Sequence, residues 1–368
     1  MPVRPEAVAE LTRVLTELPG NPSGSHAAAR AARRVLDDAR DLLAEVLGSG
    51  PGDVVFTGGG TEADNLAVLG ASGGGTVVVS AVEHPAVRDP AVGLGAHVAP
   101  VDATGRIDLD ALAALLDDLE GVAFVSVMLV HNEVGAIQPL DAVAEVVRRH
   151  APGAVLHTDA VQALSWLDVA EAATGADLIS VSAHKFGGPK GVGALVVRPG
   201  VALAARQIGG GQERDRRSGT QNVAGIAAMA TAARLTADRR VEDVARIAAL
   251  RDRLADGLLA AVPDAVETGI TGGDRSGRAA GLCHLCFPGI EAEALLFLLD
   301  QAGVAASAAS SCASGAAEPS TVLAAMGVPR DQAGGSLRLS LGWATTEADV
   351  DLALRVVPEA VERLRAPR

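Results

Sequence analysis

The sequence predicts an α/β protein, with a large domain built on a mostly parallel sheet flanked by helices and a smaller α+β domain. The chain has 368 residues, which is enough for two domains. Apolar runs that end in polar or glycine-rich clusters alternate with helical patterns up to the triplet Gly209–Gly211, and the pattern changes beyond it. Because ligands bind at the carboxyl ends of parallel strands, the polar clusters at those ends mark the expected site.

The predicted elements follow one another along the chain. Strands of the large sheet are expected at Asp53–Phe56, Thr76–Val79, Val122–Val130, Ala154–Leu156 and Asp177–Val181. Helices are expected at Leu109–Leu119, at Leu140–Arg149 and from Asn222 to about Leu258. The smaller domain is expected to contain strands at Gly281–Phe287 and Ser336–Leu341 and helices at Glu291–Asp300 and Thr346–Leu364. We therefore expect a large domain over residues 12–245 and a smaller domain over residues 246–368 together with residues 1–11.

Composition excludes several classes of function. The chain has 31 basic and 45 acidic residues, and the net charge of −14 disfavours nucleic acid or an anionic membrane as the partner. No apolar run approaches the ~20 residues that span a bilayer, and residues 1–20 lack the apolar segment of a secretory signal. The 3 cysteines are too few for a disulfide framework. We expect a cytoplasmic protein that binds neither nucleic acid nor membranes.

Lys185 is a candidate catalytic residue because lysine is scarce in this chain. It and Lys190 are the 2 lysines among 31 basic residues. Lys185 follows the predicted strand Asp177–Val181, and a lysine that is buried or crowded by cations can form a Schiff base. A surface lysine in a glycine-rich loop is the alternative. The lack of lysine elsewhere favours a role that arginine cannot fill.

Two further clusters lie at predicted strand ends. Asp159 could pair with a protonated pyridine nitrogen, and Gln162 lies three residues further on the same face of a turn. Taken alone, Asp159 is more simply explained as a helix N-cap. Gly58-Gly59-Gly60-Thr61 precedes a predicted helix, so its backbone, the Thr61 hydroxyl and the helix N-terminus could bind an anion.

The cysteines separate into two kinds. Cys283 and Cys286 flank His284 in an apolar predicted strand, and without a second Cys/His pair they are expected to be buried structural residues rather than metal ligands. Cys312 lies among alanine, serine and glycine in a segment that is expected to be a mobile loop. A thiol that is not buried favours a reactive role over an incidental one.

Two single residues are weaker candidates. Arg338, in the predicted strand Ser336–Leu341, could bind a substrate carboxylate through both arms of its guanidinium. His84 could stack on a flat cofactor ring, although by itself it is an ordinary polar loop residue.

Together these motifs resemble the cysteine desulfurases of the NifS/IscS type, which are class-V aminotransferase-fold enzymes dependent on pyridoxal phosphate. The resemblance runs from about Glu6 to about Val350. The motifs that carry it, in chain order, are Ser182-Ala183-His184-Lys185-Phe186-Gly187-Gly188-Pro189-Lys190-Gly191, Gly209-Gly210-Gly211-Gln212-Glu213-Arg214, Arg217-Ser218-Gly219-Thr220 and Ser310-Ser311-Cys312-Ala313-Ser314-Gly315 with Glu318-Pro319-Ser320. The resemblance implies a fold-type I transferase.

The resemblance also implies roles for individual residues. Lys185 would hold the cofactor, Cys312 would take the sulfur as a persulfide, and Arg338 would bind the cysteine carboxylate. The residues expected around the cofactor or its phosphate are Gly60, Thr61, His84, Asn132, Asp159, Gln162, Ser182, His184 and, from the other subunit of a homodimer, Thr220. Of these, His84 is also expected in catalysis and Asn132 beside the substrate.

The implied reaction is removal of sulfur from L-cysteine, which leaves L-alanine and a persulfide for an acceptor such as an iron–sulfur scaffold or a tRNA-thiolating enzyme. One alternative is a related lyase acting on selenocysteine or cysteine sulfinate, although a lyase would not need Cys312 in a long loop. Another is a weakly active, partner-binding relative. The chain begins at Met1, where the family usually shows an Ala-Thr-Thr-like turn. This departure from the family pattern is the feature that favours a weakly active, partner-binding relative.

Overall fold

The structure is a computed structural model that describes residues 1–308 and 320–366. Helices α1 to α12 in these ranges span Pro5–Glu17, Ala27–Val46, Gly60–Ala71, Pro85–Gly93, Leu109–Asp118, Leu140–His150, Val169–Ala172, Val223–Ala261, Ala292–Gln301, Thr321–Ala325, Arg330–Ala333 and Glu347–Arg365. Strands β1 to β10 span Val54–Thr57, Thr76–Ser80, His97–Ala99, Val122–Ser126, Val155–Asp159, Leu178–Ser182, Gly193–Val197, Val266–Glu267, Leu282–Cys286 and Ser336–Ser340.

The predicted fold class is confirmed by the sheet topology. Seven strands form one sheet in the order β1-β7-β6-β5-β4-β2-β3. The neighbouring pairs from β6 to β3 are parallel, whereas β7 runs antiparallel to both β1 and β6. A separate three-stranded antiparallel sheet has the order β10-β9-β8, and helices α9 and α12 contact each other. No helix within the described residues is both long and apolar enough to cross a membrane.

The chain divides into two compact units. Unit 1 comprises residues 1–99, 109–130 and 138–240, and unit 2 comprises residues 100–108, 131–137 and 241–368. Residues 1–11 therefore lie in unit 1, which differs from their expected place in the smaller domain. Arg4 donates its backbone N–H to Gly187 O at 2.8 Å, and Leu11 packs on a cluster with Val14 and Ala224. A domain boundary after residue 245 stays a prediction.

Helix α3 packs directly on the large sheet of unit 1. Its Ala63 and Ala67 are completely buried and belong to one cluster with Val55 of β1 and Val79 of β2. The sheet strands are almost continuously apolar, as expected for parallel strands covered on both faces. Small side chains on α3 let its backbone approach the sheet closely, which places its N-terminus at the strand ends.

A strained loop follows β7 and is held by a buried ion pair. Glu213, Arg214 and Asp215 have φ values of 48°, 57° and 62°, a left-handed conformation that costs non-glycine residues free energy. The Glu213 carboxylate accepts two bonds of 2.8 Å from Arg40, and further bonds from Phe56 N and Gln221 Nε2. Burial opposes ionisation, but Arg40 and these donors outweigh it and lower the pKa of Glu213.

We expect Glu213→Ala to lower the free energy of unfolding by about 3–5 kcal/mol, because it leaves the buried Arg40 guanidinium without its partner. Chemical denaturation measures this loss. The control is Glu10→Ala, which removes an exposed ion pair with Arg13 and should cost about 0–1 kcal/mol. A loss at Glu213 no larger than at Glu10 would show that the buried pair does not hold this loop.

Candidate active site

Lys185 lies in unit 1, in a short 3₁₀ turn that begins directly after β6. The turn backbone is held on two sides. Ser165 Oγ donates to Lys185 O at 3.2 Å, and Thr236 Oγ1 donates to Phe186 O at 3.0 Å. Lys185 is half-buried. Its positive charge acts to lower the pKa values of Asp159, His84 and His184. The amine is therefore close to three of the residues that the sequence singled out.

Asp159 is the last residue of β5 and is 4% exposed. Its Oδ1 accepts the Val161 N–H at 2.8 Å, so the carboxyl caps a turn, whereas the simpler interpretation of the sequence expected a helix N-cap and no helix begins here. Burial raises the pKa of Asp159 to about 6, against the opposing effects of the Val161 N–H and Lys185. A buried carboxyl with a raised pKa gains stability from a nearby cation.

The N-terminus of α3 meets the ends of β5 and β6. Gly59 is the N-cap residue, with φ +149°, and α3 begins at Gly60. A Cβ atom at Gly60 would lie 2.8 Å from Val161 Cγ2 and 3.3 Å from Ser182 Cβ. The glycine backbone thus brings the helix N-terminus, Ser182 and the turn after Asp159 together. The first backbone N–H groups of a helix have no partner within the helix, so this end can bind an anion.

Two histidines lie near Lys185. His84 is the N-cap residue of α4, and its Nδ1 accepts the Ala86 N–H at 3.1 Å. Burial, followed by the charge of Lys185, lowers the pKa of His84. The same two causes lower the pKa of His184 to about 4. Both rings are therefore neutral at neutral pH, and His84 carries its proton on Nε2.

The remaining predicted residues of unit 1 are more accessible. Gln162 is half-buried in the turn after β5, while Thr61 and Thr220 are exposed. Glu62 accepts the Gly58 N–H at 2.7 Å and also binds Arg217 Nε at 2.7 Å. This contact joins the glycine loop to the Arg-Ser-Gly-Thr motif within one chain. Glu62 directly follows Thr61 but was not among the predicted site residues.

Asn132 and Arg338 belong to unit 2. Arg338 Nη1 donates to Asn132 O at 3.0 Å, and Arg338 lies opposite His284 in the β9–β10 register. Asn132 and Arg338, both predicted site residues, are therefore in direct contact within unit 2. Cys312 falls in residues 309–319, outside the residues that the structure describes.

Cys283 and Cys286 lie on β9 and are buried, as predicted. Burial raises the pKa of the Cys283 thiol to about 12, which makes it a poor nucleophile. Thr268 Oγ1 lies 3.5 Å from Cys286 Sγ and 2.9 Å from His284 Nδ1. Within residues 1–308 and 320–366, no group of three or more His, Cys, Asp or Glu side chains is arranged to hold a metal ion.

The structure reveals buried polar residues that sequence reasoning missed. Glu83 precedes His84, His157 stands two residues before Asp159, and Asp64 lies within the apolar face of α3. All three are at most 2% exposed. Alternation along β5 places His157 and Asp159 on the same face, which is the one sequence signal that could have found the histidine.

Comparison with known proteins identifies the family. Residues 2–353 match the family described as Aminotransferase class-V. An "IscS-like cysteine desulfurase" of Mycobacterium tuberculosis is 45% identical, over 99% of this chain and 95% of that protein. A "Cysteine desulfurase IscS 1" of Archaeoglobus fulgidus is 38% identical, over 99% of this chain and 96% of that protein.

Solved structures agree. A "NIFS-LIKE PROTEIN" matches with a TM-score of 0.91 at 32% identity, covering 99% of this chain and 97% of that one. DndA from Streptomyces lividans matches with a TM-score of 0.77 at 33% identity, covering 92% of this chain and 97% of that one. The chain therefore belongs to the class-V aminotransferase family and, within it, to the IscS- and NifS-like cysteine desulfurases. The predicted resemblance is confirmed, and this family depends on pyridoxal phosphate.

Proposed function

We propose that this protein is a pyridoxal-phosphate-dependent cysteine desulfurase that takes sulfur from L-cysteine and passes it to an acceptor. The observation that carries the proposal is the meeting, in unit 1, of Lys185 with Asp159, His84 and His184 beside the N-terminus of α3. Full-length similarity to cysteine desulfurases supports the choice of reaction.

The residues of unit 1 fit the chemistry of pyridoxal phosphate. The buried Asp159 carboxyl, with its raised pKa, would be stabilised by a protonated ring nitrogen. The neutral His84 ring suits stacking on a flat ring. Close to Asp159, the α3 N-terminus and the Ser182 hydroxyl offer donors to a phosphate, and Gly60 leaves the space that a side chain would fill.

When bound, pyridoxal phosphate withdraws electrons and weakens bonds at Cα and Cβ of the amino acid attached to it. The chain's own residues would hold and orient it. Lys185 would attach it, Asp159 would keep the ring nitrogen protonated, and Gln162 and Asn132 would hold the ring and its phenolic oxygen. Thr61, Ser182 and His184 would join Gly60 around the phosphate.

The substrate and the thiol complete the proposed reaction. Arg338 would bind the carboxylate of L-cysteine through paired hydrogen bonds. The Cys312 thiolate would attack the substrate sulfur, so that L-cysteine and the Cys312 thiol give L-alanine and a Cys312 persulfide. The terminal sulfur would then pass to an acceptor, for which an iron–sulfur scaffold or a tRNA-thiolating enzyme is proposed.

We also propose a homodimer with shared sites. Thr220 is exposed in the single chain, and Ile208 in the neighbouring loop is 88% exposed. Gln207 and Ser218 exchange two hydrogen bonds that tie these segments together. An exposed apolar side chain beside a hydroxyl at a loop end suits contact with a second copy.

Lys185 is expected to carry the cofactor. Borohydride reduction of the purified protein should attach a pyridoxyl group to Lys185, and peptide mapping by mass spectrometry locates it. Lys185→Ala should abolish the label. Lys190→Ala, which removes the exposed lysine nearby, should leave the label in place. Label on Lys190, or none on the protein, would contradict the proposal.

Cys312→Ser should reduce alanine formation on the order of 10³-fold or more while cofactor binding persists, because the cofactor does not need the thiol. Turnover of the unsubstituted enzyme should rise with pH through the thiol pKa, since the thiolate is the nucleophile. Cys283→Ser is the matched control, because the Cys283 thiol is buried and un-ionised. Undiminished turnover in Cys312→Ser would favour the selenocysteine or cysteine-sulfinate lyase instead.

Shared sites predict complementation between two inactive variants. Mixing Lys185→Ala and Thr220→Ala chains should restore about a quarter of the activity, because random exchange makes half of the dimers mixed and each has one intact site. Sedimentation measures the oligomeric state. Shared active sites would be refuted if the mixture were only as active as the mean of the two homodimers. A fully active monomer would also refute them.

A further inference from the structure

Glu62 places a carboxylate beside the end of α3 that is proposed to bind the cofactor phosphate. It is the third residue of α3 and directly follows Thr61. Its Oε2 accepts the Gly58 N–H at 2.7 Å, so the carboxylate folds back over the glycine loop that precedes the helix. A Cβ atom at Gly58 would lie 2.6 Å from the same oxygen, which shows how closely the carboxylate lies against this loop.

A carboxylate at this position opposes the binding of an anion. The first turn of a helix carries a partial positive charge, which stabilises the Glu62 carboxylate and a bound phosphate alike. Two anions at one helix end compete for the same backbone N–H groups and repel each other. Phosphate binding by Gly60 and Thr61 therefore requires that the Glu62 charge be compensated nearby.

Arg217 supplies this compensation. Its Nε donates to Glu62 Oε1 at 2.7 Å and its Nη2 donates to Glu62 Oε2 at 3.3 Å, so the guanidinium meets both oxygens of the carboxylate. The Arg217 side chain is 18% exposed and that of Glu62 is 34% exposed. Paired hydrogen bonds between a guanidinium and a carboxylate fix the orientation of both groups as well as joining their charges. The Glu62 carboxylate is thus directed to Arg217 and Gly58.

The backbone beside Arg217 is held by contacts of its own. Ser218 and Gln207 exchange two hydrogen bonds, of 3.1 Å and 2.6 Å. The Gly219 N–H donates to Gln212 Oε1 at 2.8 Å, and Gly219 has a φ of +111°, a conformation that favours glycine. These contacts fix the segment independently of the carboxylate on α3, so the guanidinium is presented to α3 by a preorganised loop.

We infer that Arg217 is a positioning residue for the cofactor phosphate. It neutralises the Glu62 carboxylate and holds it against Gly58, which leaves the N-terminus of α3 to the phosphate. The inference rests on the proposed function. It predicts an effect on ligands that carry a phosphate and none on those that lack one, because the repulsion acts between two anions. A pair that served only to tie two loops together would affect both kinds of ligand alike.

Binding of pyridoxal phosphate, and of pyridoxal, which lacks the phosphate, tests the inference by equilibrium dialysis of the full-length protein. Arg217→Gln should weaken pyridoxal phosphate binding about tenfold or more, because Glu62 loses its counter-charge, and should leave pyridoxal binding unchanged. Adding Glu62→Gln to the same chain should restore most of the loss, because the repelling charge is then gone. The matched control is Arg216→Gln, which removes the neighbouring arginine that bonds Gly52 O and should leave both ligands unaffected.

Four results would each overturn the inference. Arg217→Gln could leave pyridoxal phosphate binding unchanged, or could weaken the binding of both ligands equally. The double variant could bind pyridoxal phosphate no better than Arg217→Gln does. Arg216→Gln could cause the same loss as Arg217→Gln, which would show a general effect of net charge.

Glu62→Gln alone keeps the inference testable if Arg217→Gln fails to fold. The glutamine amide oxygen can still accept the Gly58 N–H, and the Arg217 charge remains. Pyridoxal phosphate should therefore bind to Glu62→Gln at least as tightly as to the unsubstituted protein. Weaker binding than that of the unsubstituted protein would overturn the inference.

Inorganic phosphate gives the same comparison without a pyridine ring. The rise in Tm that it causes in the full-length protein should be smaller for Arg217→Gln than for the double variant. This order does not depend on Lys185. Failure of Lys185 labelling with the order intact would refute the proposed function alone, whereas normal labelling without the order would refute this inference alone.

Discussion

The close approach of helix α3 to the sheet is the constraint on which the candidate site in unit 1 depends. A Cβ atom at Gly193 of β7 would lie 2.8 Å from Gly59 C and 2.6 Å from Val181 O, so Gly193 has no room for a side chain. Gly60 is equally tight against Val161 and Ser182. Glycine at these positions lets one helix N-terminus face the ends of β5 and β6, where Asp159 and Lys185 lie.

Burial disfavours the charged form of each ionisable group around that contact. The pKa values of His84, His157 and His184 fall, and those of Asp64 and Glu83 rise, because low-dielectric surroundings penalise the charged form of each. Glu213 is the contrast. It stays ionised because four hydrogen bonds from three partners compensate its burial. Among Asp64, Glu83 and Glu213, the carboxyl with an arginine partner is the one whose pKa is lowered.

Sequence patterns predicted most element positions to within a few residues, but one strand shows where they fail. Val122–Val130 was expected to be a single strand, whereas β4 ends at Ser126. The chain stays beside β5, since Leu129 N donates to Asp159 O, but Met128 N turns to the Glu83 carboxyl. Met128 N thus bonds the Glu83 side chain, 45 positions away in the sequence, instead of a backbone carbonyl of a neighbouring strand. Local periodicity carries no information about such contacts.

The sequence by itself determined the class of fold, the family and the identity of the candidate residues, because apolar periodicity and motifs such as Ser182–Gly191 are local properties of the chain. Only the tertiary structure decided which of these residues meet, and in what charge state. The N-terminal segment joined unit 1, and His157, Glu83 and Asp64 became buried there. Their pKa values are shifted chiefly by that burial, which exists only once the chain has folded.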